Sequence, residues 1–143
     1  MALQSFKAMR QEAYDKNADG IVDQAQGDHI FIEAGVGGVS AFAVVMMALD
    51  GTVMPGNSSE PSHFGKIIGI SNSQKLEGEE CDIQTSGYIQ NDYWNLDPGE
   101  TYFLGSGGDL TLTPPNSGFF QKIGVAKDSV TLLIQLSEPV MRC

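Results

Sequence analysis

At 143 residues the chain has room for one domain, with a core that needs no metal or disulfide support. Its 41% apolar content is too high for a disordered chain, and 17 glycines with six prolines favour many turns between short strands over long helices. A formal charge of −10, from 18 carboxylates against eight basic side chains, works against nucleic-acid phosphates and anionic lipid headgroups as partners.

Residues 1–28 differ from everything after them. Leu3, Phe6, Met9 and Ala13 recur at helical spacing with Lys7, Arg10 and Glu12 between them. The segment is either a short amphipathic helix or an extended arm that orders against a partner, since about a dozen helical residues are marginal in water alone. It lacks the apolar centre of a secretion signal, so synthesis in a cytoplasm is expected. Asp15-Lys16-Asn17-Ala18-Asp19-Gly20-Ile21-Val22-Asp23 matches the first nine positions of a calcium loop. Oxygen side chains fall at Asp15, Asn17, Asp19 and Asp23, and Gly20 takes the tight turn. Gln26 then stands where a bidentate carboxylate should close the site, and Gly27 where a helix should follow. A metal-free Asp/Asn turn accounts for the same residues.

From residue 29 onward the signals are those of an all-β domain reaching to residue 143. His29–Glu33 alternates weakly and leads into Gly35-Val36-Gly37-Gly38. Ala41–Leu49 is a continuous apolar run, far shorter than the ~20 residues that span a bilayer. It suits a strand covered on both faces, although periodicity alone does not separate that from a buried helix. Asp50-Gly51 is a hairpin signal before Thr52–Met54. Further strands are expected at Gly65–Ser71, Glu80–Thr85, Tyr88–Ile89, Glu100–Leu104, Leu110–Thr113, Gln121–Ala126 and Val130–Leu136. Such spacing means a compact barrel or a sandwich of short antiparallel strands. Phe64-Gly65-Lys66-Ile67-Ile68-Gly69-Ile70-Ser71 is echoed by Phe120-Gln121-Lys122-Ile123-Gly124-Val125-Ala126, about 55 residues later. Each copy follows an apolar strand, an Asp/Gly turn, a short Thr-containing strand and a proline. This suggests two like β-units, 39–85 and 99–137, sharing one core.

Catalytic constellations are missing from the sequence, so no enzymatic role is expected. His29 and His63 are the only bases suited to neutral pH, and neither lies in a nucleophile motif; G-x-S-x-G, P-loop and H-E-x-x-H patterns do not occur. Glu77, Glu79, Glu80 and Asp82 could hold a glycosidase pair, but solvated loop carboxylates explain them more simply. The stretch from Glu77 to Glu100 carries seven carboxylates and no Lys or Arg. Tyr88, Tyr93 and Trp94 lie close together with Asn91 and Asn95, as core and turn packing or as a flat aromatic patch for a subunit or a carbohydrate. Cys81 and Cys143 are too few for a disulfide scaffold or a zinc site; they are free thiols in a reducing compartment and a possible cross-link after release.

Ile68-Gly69-Ile70-Ser71, followed by Glu77-Gly78-Glu79, a strand and Gly87, is similar to phage head decoration (capsid cement) proteins. Asp15–Asp23 with Ala25 resembles a stretch near the N-terminus of phage fibre and other virion proteins. Pro98–Leu104, running into Leu110–Pro115 and Ile123–Ala126, looks like β-modules of phage heads and tail fibres. The resemblance spans Asp15 to Leu136. It implies a β-barrel or β-tulip-like domain, an N-terminal arm laid on a neighbour and a homotrimer. It also implies the major capsid protein as partner and a place on the outer surface of a capsid, in a virion made in a bacterial host. On that reading Leu3, Phe6, Met9 and Tyr14 are the interface anchors of the arm, and no cofactor is expected apart from calcium at the Asp15–Asp23 loop. A head-fibre or tail-fibre attachment module and, from a different class, a carbohydrate-binding β-sandwich are the rival expectations.

Overall fold

A computed structural model describes residues 27–141. The arm up to residue 26, with Leu3, Phe6, Met9 and Tyr14, lies outside the described residues, as do the Asp15, Asn17, Asp19 and Asp23 loop and Cys143.

The described chain is all-β. Its strands are β1 (His29–Glu33), β2 (Val44–Met47), β3 (Val53–Pro55), β4 (Ile67–Ser71), β5 (Glu80–Gln84) and β6 (Gly87–Gln90). They continue with β7 (Thr101–Leu104), β8 (Leu110–Thr111), β9 (Phe119–Phe120), β10 (Lys122–Asp128), β11 (Thr131–Ile134) and β12 (Val140–Met141). One five-stranded antiparallel sheet runs β1-β5-β4-β2-β3 and a second runs β6-β11-β10-β7-β8; β9 and β12 form a separate pair. Among the described residues the only helical element is a 3-10 turn, Pro61–His63. No described helix is long and apolar enough to cross a membrane.

Of the two architectures expected, the sandwich forms and a closed barrel does not. Val44, Met46, Ile67 and Ile70 of the first sheet pack against Ile89, Tyr102, Leu104, Ile123, Leu132 and Ile134 of the second, with Phe119 and Leu96 filling the same core. Burial of this kind is the main term holding such a domain together, at roughly 1.5–3 kcal/mol per large apolar side chain. The Ala41–Leu49 run becomes the short strand β2, not a helix, because it is used on both faces. Val44 and Met46 point between the sheets, while Val45 enters a smaller core with Ala34, Val39, Val53, Cys81 and Ile83. Period-two alternation makes this possible. The loop after β1 helps to cover that second core: Ala34 forms an isolated parallel bridge with Val53, and the Gly35 N–H donates to the Val53 carbonyl at 2.9 Å.

The two sheets share one strand order, with β6, β7, β8, β10 and β11 in the places of β1, β2, β3, β4 and β5. The echoed segments hold β4 and β10, and each is irregular at the same point. Against β2 the register steps from Gly69 to Ile67 and passes over Ile68; against β7 it steps from Gly124 to Lys122 and passes over Ile123. Gly69 and Gly124 also meet the same obstacle. A Cβ on Gly69 would lie 2.4 Å from the Gln84 carbonyl oxygen, and one on Gly124 would lie 2.2 Å from that of Leu133. Both distances are far inside contact, so the neighbouring strand can sit this close only to glycine.

Backbone bonds stitch the sheets at one corner. The Val44 N–H donates to the Gly108 carbonyl, Gly108 to Gly56 and Gly56 back to Val44, at 2.7–2.9 Å. At the crossover from β5 to β6 the buried Gln84 amide donates to the Ser86 and Tyr88 carbonyls, at 2.9 and 2.6 Å. A buried amide without such partners would cost several kcal/mol, so the pairing fixes how the second sheet departs from the first.

Candidate binding surfaces

The two histidines occupy separate places. His29, on the edge strand β1, sets Nδ1 2.7 Å from Asp82 Oδ1 on β5, with the Asn72 amide at 3.5 Å. The pair is about one-third exposed on each side. His63 ends the 3-10 turn, and its Nδ1 accepts the Asn57 N–H at 3.0 Å. That bond requires a lone pair on Nδ1, which places the ring proton on Nε2. His63 lines an open, mostly apolar hollow of about 420 Å³ with Met46, Leu49, Met54 and Lys66.

The acidic residues disperse. Glu77, Glu79 and Glu80 face solvent, Glu79 accepts the Leu76 N–H at 2.8 Å, and Asp82 turns to His29. Asp92, Asp97 and Glu100 are also exposed, so the carboxylates of this stretch are solvated, with one partial exception at Asp82. Among the described residues no group of three or more His, Cys, Asp or Glu converges as metal ligands would. Two aspartates are held below the usual carboxylate range by hydrogen bonds within their own turns. Asp50 accepts from the Thr52 hydroxyl and N–H, and Asp128 from the Val130 N–H and the Thr131 hydroxyl. The Asp50 contacts, at 2.7 and 3.1 Å, close the β2–β3 hairpin that the Asp-Gly pair predicts. Cys81 is a fully buried free thiol, and burial pushes its pKa up.

The three aromatics grouped by sequence do not form one platform. Tyr88 on β6 lies under the Lys127 ammonium, which sits 5.0 Å from the ring centroid. Trp94 turns inward, partly buried, and meets Phe42 edge-on with centroids 5.7 Å apart. Tyr93 stands farthest into water, at 96% exposure. The cause is the turn between them: the Trp94 N–H donates to the Asn91 carbonyl at 3.0 Å, and the Asn91 side chain accepts the Tyr93 N–H at 3.0 Å. Two adjacent residues are thereby sent to opposite sides. Phe42 carries no sequence signal beyond its apolar run, yet it has φ +59°, rare for a bulky side chain. With Gln90, Asn91, Asp92 and Tyr93 it lines a shallow hollow of about 430 Å³.

A rim at one end of the first sheet carries exposed apolar side chains on well-tied loops. Val39 and Lys75 exchange backbone bonds at 2.8 Å, and the Gly78 N–H donates to the Ala34 carbonyl at 2.9 Å. Val36, 84% exposed, and Leu76, 66% exposed, stand on these two loops beside Glu33, Glu77 and Glu79.

No family model matches the chain, and no curated protein is similar enough to serve as a relative.

Proposed function

We propose that this protein is a structural component of a phage virion that attaches to the head lattice as a decoration or cement protein and works by adhesion. The observation that carries the reading is the Val36–Leu76 rim. Apolar side chains stand in water there on loops that backbone bonds already hold in place, so covering them gains burial without a large ordering cost. The surrounding carboxylates favour a partner with basic groups and discourage attachment to nucleic acid. The motif likeness to capsid cement proteins points to the major capsid protein as that partner and to trimers at three-fold positions, where symmetry repeats each contact and many modest contacts add up.

Co-sedimentation of the full chain with heads assembled without it tests the proposal. Saturable binding at a fixed ratio to coat subunits is expected. Val36→Asp combined with Leu76→Asp should weaken it by at least about tenfold, the equivalent of ~1.4 kcal/mol, while leaving the fold intact. A chain that stays in the supernatant at all concentrations removes the proposal. Deleting residues 1–14 tests the arm separately, and unchanged attachment would leave Leu3, Phe6, Met9 and Tyr14 without the anchoring role.

A further inference from the structure

We infer that the hollow formed by Phe42, Gln90, Asn91, Asp92 and Tyr93 is a binding subsite for a neutral carbohydrate. It is a second contact site, independent of the rim. Sugar recognition needs an aromatic face for the C–H-rich side of a pyranose ring, with planar polar groups beside it for the hydroxyls. Tyr93 supplies the face. At 96% exposure its ring has no packing role, while the Asn91–Trp94 turn holds its backbone by two hydrogen bonds and the neighbouring Trp94 is anchored on Phe42. The polar groups are ordered as well. Gln90 Nε2 donates to Asp92 Oδ1 at 3.0 Å, and both residues are exposed, so the other Asp92 oxygen and the Gln90 side-chain oxygen can accept from sugar hydroxyls. The Asn91 side-chain oxygen is used by the Tyr93 N–H, which turns its amide N–H donors to the opposite role.

Phe42 completes the lining. Its backbone is in the left-handed region at φ +59°, held there by its N–H donating to the Ser71 carbonyl at 2.9 Å. Strain of this kind persists where the surroundings fix a side chain in one place. Here the Phe42 ring, which lines the hollow, meets Trp94 edge-on with centroids 5.7 Å apart. Asp92 gives the site negative charge, which selects neutral sugars over acidic ones. The sequence-based grouping of Tyr88, Tyr93 and Trp94 is thereby revised: Tyr88 is engaged by Lys127, Trp94 packs on Phe42, and Phe42, Gln90 and Asp92 take their places.

The test uses the full chain and a panel of neutral oligosaccharides based on glucose, galactose, mannose and N-acetylglucosamine. Saturation-transfer NMR and calorimetry would be run up to ~5 mM ligand, near the weak end of single-site affinity. At least one sugar should bind, with saturation transfer strongest to ring protons of one face. Tyr93→Ala should lower the affinity at least about tenfold without moving the melting temperature, and Asp92→Asn should lower it less. Tyr88→Ala should leave binding unchanged. Failure of every panel member to bind overturns the inference, and so does a Tyr93→Ala variant with parental affinity. Lattice attachment lost in Tyr93→Ala with no sugar bound also overturns it, and assigns the hollow to a protein partner.

Discussion

Replacing Gly124 by alanine places a methyl group 2.2 Å from the Leu133 carbonyl oxygen and 3.1 Å from Leu132 Cγ. Normal carbon–oxygen contact needs roughly 1 Å more, and both atoms belong to β11, the hydrogen-bonded neighbour of β10 in the middle of the second sheet. The strands must separate by about that amount. This weakens one or two ladder bonds at about 1 kcal/mol each and adds a packing cost of ~1–3 kcal/mol, for a total near 3 kcal/mol. For a domain of this size that lowers the melting temperature by roughly 12 °C. Gly69→Ala faces the Gln84 carbonyl at 2.4 Å in the matching place of the first sheet and should cost the same within about 1 kcal/mol. The two lie in different sheets with no shared partner, so the double variant should lose close to the sum. Thermal unfolding followed by far-UV circular dichroism, with urea titration as a second measure, reads all three variants. A melting temperature within ~2 °C of the parent for either single variant would refute the close-approach argument. Strongly unequal costs would refute the equivalence of the two sheets.

Phe119 is fully buried between the sheets and stacks edge-on with Phe64 at 5.6 Å, so Phe119→Ala should cost ~3–5 kcal/mol and shift the urea midpoint accordingly; a loss below about 1 kcal/mol would show that the core is not organised around it. Cys81 should react with a thiol reagent only at the rate of unfolding, because it is buried and its thiol is held in the neutral form; peptide mapping that finds fast labelling at Cys81 in the native protein would contradict its placement. Asp50 and Asp128 have folded pKa values below those of the unfolded chain. The stability they add is therefore complete above the ordinary aspartate value of ~3.9 and is lost as pH falls through the lower folded values. Carboxyl NMR titration should place both midpoints below that of an unfolded aspartate, and midpoints at or above it would remove the turn hydrogen bonds from the account.

Much of the fold is legible from local pattern. The Asp50-Gly51 pair marks the β2–β3 hairpin because the turn chemistry is contained in its own few residues. The Ala41–Leu49 run marks a segment covered on both sides, but its pattern alone leaves strand and buried helix open, and pairing with distant residues settles Val44–Met47 as the strand. Other features depend on partners distant in the chain. β9 is only Phe119 and Phe120, and it exists because Val140 and Met141 come back to pair with it. The bridge from Ala34 to Val53, which decides how the second core is covered, joins residues with no shared local signal.

The sequence by itself determined an all-β domain of short strands from residue 29 onward, the chain's acidic character and the echo between Phe64–Ser71 and Phe120–Ala126, since composition, turn residues and two-residue alternation are properties of neighbours along the chain. Only the tertiary structure decided that the strands make two open sheets face to face, and that Tyr93 stands in water while Trp94, beside it, is packed inward. Side-chain environment is set by which surfaces close over which, and those are contacts between residues the chain brings together from far apart.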